Sequence, residues 1–177
     1  SIVANNGNIV LSHAGTITGA GFGLTLGGTN TASSLASIIG TGAGTVTKAG
    51  SGTWTLSGSS TYTGLTTVSA GTLQLGAAGG GTNTPLGTTG AGTVVAAGAT
   101  LDLNGYTLGT AEALTLNGTG LSGGGALTNS SATAATYSGL ITLGSDSSIV
   151  ANNGNIVLSN AGTITGAGFG LTLGGTN

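Results

Sequence analysis

The chain has 177 residues and almost no charge: one Lys or Arg and three Asp or Glu, with a net charge of −2. Such a balance leaves no electrostatic footprint for nucleic acid or for an anionic membrane surface, so neither partner is predicted. The lack of cysteine excludes a disulfide framework and thiolate metal sites, and we predict no metal or cofactor. No apolar run approaches the 18 or more residues of a membrane span, so no membrane insertion is expected.

One sequence occurs twice. Residues 1–30 and 148–177 agree at every position except one, which is His13 in the first copy and Asn160 in the second. A fixed period predicts a tandem array. We therefore expect one full repeat unit at 1–147 and the start of the next at 148–177, joined without a linker. We also expect the two copies to occupy the same place in successive turns, with the same surroundings.

Short runs of alternating polar and apolar residues follow one another along the chain. Each ends in Gly, Asn-Gly or Ser-Gly, as in "GTITG" (15–19), "LTLGG" (24–28), "GTVTKAG" (44–50), "GTWTLSG" (52–58), "GTLQLG" (71–76), "GTVVAAG" (92–98), "TLDLNG" (100–105), "LTLNG" (114–118) and "ITLG" (141–144). A period of two predicts strands with one buried face, and no stretch has helical spacing. In "TWTL" the predicted buried pair is Trp54 and Leu56.

An all-β fold of many short strands leaves a solenoid, a sandwich or a barrel. A solenoid extends through tandem units without a linker, and glycine and Asn-Gly corners let coils stack closely. We therefore predict a parallel β-helix of roughly six or seven coils per unit, about 30 to 35 Å long. The glycine-rich stretch at 76–87 is predicted to protrude as a corner loop.

The stretch from Lys48 to Gly76, "KAGSGTWTLSGSSTYTGLTTVSAGTLQLG", carries a recognisable pattern. Its initial Lys48, the "TWTLSG" strand, "TYTG" with Tyr62, and "AGTLQLG" resemble the passenger-associated transport repeat of autotransporter surface proteins. Ser60 and Leu65 depart from the usual Asn and Gly of that family. The resemblance implies a right-handed β-helix, export across a Gram-negative envelope and display at the cell surface or release from it. It implies no catalytic activity.

Few residues could support catalysis. Asp102 and Glu112 are the only close carboxylate pair, and the alternation in "LDL" predicts that Asp102 points outward. Glycoside hydrolysis needs two carboxylates in environments that separate their pKa values. We expect two solvated carboxylates instead, and no enzyme. His13 is expected at a tolerant surface or corner position because its counterpart is Asn160.

Aromatic and threonine side chains are the remaining candidates for binding. Trp54 and Tyr62 are predicted to point inward, whereas Tyr106 and Tyr137 follow turns and are the candidate surface residues. Outward threonines could form a flat binding rank, but the starts of the Thr-x-Thr pairs are irregularly spaced, which predicts no single rank of pairs.

The function predicted from these features is structural: a tandem β-solenoid array forming a stiff extracellular stalk, fibre or adhesin shaft. Its partners would be neighbouring units of the same array, end to end and possibly side by side. The alternative is a module of a surface adhesin that binds host or matrix glycans, or ice.

Overall fold

The computed structural model describes residues 1–175 and is an all-β solenoid of about seven turns. Apart from one 3₁₀ turn at Leu121–Gly123, its regular elements are short strands. In chain order they are β1 (Ile2–Ala4), β2 (Val10–Leu11), β3 (Thr16–Thr18), β4 (Leu24–Gly28), β5 (Ser33–Leu35), β6 (Ile38–Gly40), β7 (Val46–Lys48), β8 (Thr53–Leu56), β9 (Thr66–Val68), β10 (Gly71–Leu75), β11 (Asn83–Thr84), β12 (Gly87–Thr88), β13 (Thr93–Val95), β14 (Ala99–Asp102), β15 (Thr107–Leu108), β16 (Leu114–Gly118), β17 (Leu127–Thr128), β18 (Ala135–Tyr137), β19 (Ile141–Ala151), β20 (Ile156–Leu158) and β21 (Leu171–Gly175). This confirms the predicted fold class.

The strands form three faces, and nearly all pairs are parallel. Face 1 consists of β1, β4, β7, β9, β13, β16 and the start of β19. Face 2 consists of β2, β5, β8, β10, β14, β17, the end of β19, and β21. Face 3 contains β3 and β6, followed by β15, β18 and β20. The chain therefore passes from face to face as it coils, and the inner strands of faces 1 and 2 bond to the coils before and after them.

The core is a set of stacked columns, because alternation points every second side chain inward. Direct register pairs give the inward column of face 1 as Ile2, Leu26, Lys48, Val68, Val95, Leu116 and Leu143. The corresponding column of face 2 contains Ser33, Trp54, Leu73, Leu101, Leu127, Ile149 and Leu173. Trp54 and Leu56 are buried, as predicted.

Coil length varies while register is kept. One turn of the face 1 column takes 20 residues from Lys48 to Val68 and 27 from Val68 to Val95. Additional residues of the longer coil form an antiparallel hairpin of β11 and β12. The predicted protruding loop is confirmed at its tip, residues 80–82, which is exposed. It is wrong for Leu86, which is buried in the core.

The two copies of the repeated sequence share an internal register but not their surroundings. Ile2 pairs with Leu26 in the first copy, and the equivalent Ile149 pairs with Leu173 in the second. Yet Leu26 belongs to the column of face 1, and Leu173 to that of face 2. The expectation of identical surroundings is therefore wrong, since 147 residues do not make a whole number of turns.

Within the described residues, no helix has the length and apolar character needed to cross a membrane.

Candidate functional site: a lysine-capped glycine corner

The corner between faces 1 and 2 brings the backbones of successive coils into contact. Gly28, Gly50 and Gly71 occupy it in three consecutive coils, with φ values of 105°, 73° and 66°. A Cβ atom at Gly50 would overlap the backbone of Gly28, and one at Gly71 would overlap that of Gly52. Glycine is required here both for the left-handed backbone and for the close approach.

Lys48 closes this corner from the inside. It occupies an inward position of β7, and its side chain is fully buried. Its Nζ donates to the carbonyl oxygens of Ala49 at 3.0 Å, Gly50 at 2.8 Å and Ala70 at 3.0 Å. The ammonium group has three donors, and all three are used. Burial lowers the pKa of Lys48 to about 8, which still leaves the group charged at neutral pH.

Trp54 binds the coil on the other side of the corner. Its ring is buried in the inward column of face 2, and Nε1 donates to the carbonyl oxygen of Gly27 at 3.0 Å. Lys48 and Trp54 together therefore satisfy carbonyl groups in three consecutive coils. Because both side chains are buried and each bonds to a neighbouring coil, this arrangement couples the coils.

Strand alternation predicts the inward position of Trp54 correctly, whereas the role of Lys48 is not among the predictions. The signal was available: the alternation that buries Val46 also buries Lys48, two residues later. A single cation at an inward position predicts a group bonded to backbone oxygens, because an unpaired buried ammonium is too costly.

Comparison with known proteins agrees with this geometry. Residues 46–75 match the family model described as the passenger-associated transport repeat. The chain contains a passenger-associated transport repeat. No curated protein and no solved structure matches the chain. The transport repeat spans both coils that meet Lys48, and it includes Gly50, Trp54 and Gly71. Repeat and fold together indicate an autotransporter passenger-type structural domain.

Glu112 lies outside the transport repeat and is buried, so the prediction of a solvated carboxylate is wrong. Its Oε1 accepts a hydrogen bond from Thr93 Oγ1 at 3.1 Å, while its buried Oε2 has no partner. Burial raises the pKa of Glu112 to about 7. The strand alternation did not signal this, since Glu112 precedes β16 in an irregular corner.

Asp102 is also buried, with 3 % of its surface exposed, although it lies on the outward side of β14 as the alternation predicted. Neighbouring coils cover it. Its oxygens accept from Gln74 Nε2 at 2.9 Å, the Asn104 backbone N–H at 2.9 Å, and the Ser130 N–H and hydroxyl at 3.0 and 2.6 Å. The expectation of a solvated Asp102 is therefore wrong because a turn of the next coil folds over it.

The two tyrosines proposed as surface residues differ. Tyr137 is fully buried in the inward column of face 3, between Leu108 and Leu158, and its hydroxyl donates to the Glu112 carbonyl oxygen at 2.7 Å. Its assignment as a candidate surface residue is wrong, because strand alternation outweighs the preceding turn. Tyr106 is half-buried and packs against the core. Tyr62 is buried, as predicted.

The one difference between the copies preserves a hydrogen bond. His13 Nδ1 accepts from the Gly15 backbone N–H at 2.8 Å, and Asn160 Oδ1 accepts from the Gly162 N–H at 2.7 Å. Either side chain therefore holds the same turn. Asn160 also donates through Nδ2 to the Ser138 carbonyl oxygen at 2.8 Å in the previous coil.

A single file of outward side chains runs along face 1. The Thr-x-Thr pairs themselves are divided among faces, as their spacing predicted. On face 1, however, one outward residue from each coil lies in register with the next, because the additional residues of longer coils are in the corners between faces. The file contains Thr25, Thr47, Thr67, Val94, Thr115, Thr142 and Thr165.

Over residues 1–175 there is no cluster of three or more histidine, aspartate or glutamate side chains that could hold a metal ion.

Proposed function

We propose that the chain belongs to a tandem β-solenoid array that forms a stiff extracellular stalk, fibre or adhesin shaft. An autotransporter-like route would export it to the surface of a Gram-negative bacterium. The transport repeat supports this route, and the continuous fold supports the mechanical role. Its partners would be neighbouring units of the same array.

One observation carries the proposal. Strand β19 runs from Ile141 to Ala151 and crosses the boundary between residues 147 and 148 without a break. It pairs with β16 up to Ser147, with β21 from Ser147 onward, and with β17 at Ile149 and Val150. The second copy therefore joins the first as another coil of the same sheet, where a string of separate domains would have a linker.

The direction of the backbone hydrogen bonds suits a mechanical role. Backbone hydrogen bonds between coils lie along the solenoid axis, so axial load is distributed over the ladders of all three faces. The corner at Lys48 and Trp54 adds side-chain bonds in the same direction, since each joins backbone groups of a neighbouring coil. A near-neutral surface makes the rod insensitive to salt.

Small-angle scattering on chains of one, two and four units tests the array. We expect the cross-section to stay constant and the length to increase by about 30 Å per unit, given about 4.8 Å per coil. A length distribution typical of compact bodies joined by flexible segments would contradict the proposal. The one-unit chain serves as the reference for cross-section.

The threonine file on face 1 favours a second candidate, a surface that binds glycans or ice. The file presents hydroxyl groups at the spacing of the coils on an uncharged face. Of the two tyrosines predicted at the surface, only Tyr106 is exposed enough to stack on a sugar. Glycan-array and ice-affinity measurements on a four-unit chain test it. Retention that disappears when Thr47, Thr67 and Thr115 are replaced by lysine would support binding, whereas no retention leaves the structural role.

A further inference from the structure

The repeated sequence shows how one unit would meet the next. Four of its segments can be placed on faces in both copies. Residues 2–4 lie on face 1, whereas 149–151 lie on face 2. Val10 pairs on face 2 with Ser34, whereas Val157 pairs on face 3 with Thr136.

The other two segments shift in the same sense. Residues 16–18 pair with β6 on face 3, whereas Thr165 bridges to Thr142 on face 1. Strand β4 lies on face 1, and the equivalent β21 on face 2. All four segments therefore advance by one face between copies.

Coil lengths account for this shift. Along the column of face 1, Ile2 and Leu143 are six turns and 141 residues apart. The six residues from Leu143 to Ile149 then carry the chain around the corner to face 2. One 147-residue unit thus consists of six turns and one further face.

We propose that successive units of the array join with this one-face offset, so that each unit is rotated by about a third of a turn about the axis. The partner that fits the end of a unit is the next unit in that rotated position. This inference rests on the proposed array, and it specifies the joint within it.

Contacts at the joint support the offset. In the rotated position Ile149 stacks on Leu127 and so continues the apolar column of face 2. Asn152 Nδ2 donates to the Gly124 carbonyl oxygen at 3.1 Å and to Thr128 Oγ1 at 2.7 Å. The repeated sequence thus bonds to the preceding coil through both its core and its polar side chains.

The offset determines what the rod displays. The hairpin tip at 80–82 would point in three directions in three successive units, and the fourth would align with the first. The threonine file would also change faces, since Thr172, the equivalent of Thr25, lies on face 2 beside Ser148. No face would carry the file for much more than one unit, or about 30 Å. Such a rod presents the same surface all around and has no single long binding face.

Electron microscopy of a six-unit chain tests the offset. A small folded tag is inserted after Gly81 in every unit, where the hairpin tip faces open space and an exposed loop tolerates insertion. We expect three rows of tags around a continuous rod, with tags in one row about 90 Å apart. One row with a spacing of about 30 Å would overturn the offset and leave the array intact. Separate beads on a flexible string would instead overturn the proposed function.

A cysteine pair tests the placement without a tag, because the chain has no cysteine of its own. Thr136→Cys with Val157→Cys places two thiols on adjacent strands of face 3, within the range of Cα distances that a disulfide spans. Val150→Cys with Val157→Cys is the matched control, because Val150 lies on face 2. We expect oxidation to link the first pair and not the second. Failure of the first pair in a folded protein, or equal linkage of both, would overturn the offset.

Discussion

Lys48 and Glu112 are two ionisable side chains buried in the same solenoid, and their surroundings differ in one respect. Lys48 uses all three of its donors on carbonyl oxygens, whereas Oε2 of Glu112 has no partner. Burial favours the neutral form of each group: it lowers the pKa of Lys48 to about 8 and raises the pKa of Glu112 to about 7. At neutral pH Lys48 remains charged, while Glu112 is near its midpoint. Lys48, whose donors are all hydrogen-bonded, can thus stabilise the fold as a charged group. Glu112, which has one oxygen without a hydrogen bond, makes the stability of the fold sensitive to pH.

Replacing Lys48 by methionine should have the largest effect. Met preserves length and apolar volume but leaves three carbonyl oxygens without their donor, so we expect the unfolding free energy to fall by about 3 kcal/mol. Urea unfolding at pH 7 measures the change. Thr47→Val is the matched control on the outward side of the same strand, and it should shift the free energy by less than about 0.5 kcal/mol. Equal stability of Lys48→Met and the parent chain would remove the role assigned to the lysine.

The pH dependence of stability should report Glu112. Its pKa in the folded chain is raised above the unfolded value of 4.5, so its contribution is full below pH 4.5 and is lost as pH rises through 7. We expect a loss of about 2 to 3 kcal/mol between pH 4.5 and pH 8, since the two pKa values differ by about 2.5 and each unit corresponds to about 1.4 kcal/mol. Urea unfolding at several pH values measures it. Glu112→Gln should flatten this dependence and be more stable than the parent at pH 8. The same slope in both chains would assign the effect to another group.

Trp54 tests the second donor at the corner. Trp54→Phe keeps an aromatic ring in the column but removes the bond from Nε1 to the Gly27 carbonyl oxygen. We expect a loss of about 1 to 2 kcal/mol, smaller than that for Lys48→Met because only one bond is removed. Hydrogen exchange of the amides in β4 and β8 should accelerate. A loss as large as that of Lys48→Met would mean that packing, and not the bond, dominates.

His13 gives the smallest expected effect, since the same kind of bond is made at an exposed turn. His13→Asn reproduces the residue of the second copy and keeps an acceptor for the Gly15 backbone N–H. We expect a change of less than about 0.5 kcal/mol in the unfolding free energy. His13→Ala, which removes the acceptor, is the comparison. If Asn destabilised the chain as much as Ala, the shared turn would not explain the exchange.

Some polar residues were predictable and others were not. The direction of Asp102 followed from strand alternation, but its burial depends on Ser130, which is 28 residues later in the next coil. The turn before Tyr137 predicts an exposed ring, but the alternation of β18 buries Ala135 and Tyr137 alike. Lys48 could have been placed inward from β7 alone. The three carbonyl oxygens that accept from Lys48 could not all be predicted, since one of them belongs to Ala70 in the next coil.

Period-two alternation, glycine corners and the repeat of 1–30 at 148–177 determined an all-β solenoid from the sequence alone, because these features act over a few residues or over the whole chain. The transport repeat was also recognisable in the sequence from Lys48 to Gly76. Only the tertiary structure decided which residues share a column, since corners of unequal length change the number of residues per turn. That count sets the face on which each copy begins. For this reason the nearly identical sequences at 1–28 and 148–175 have the same internal register but different neighbours.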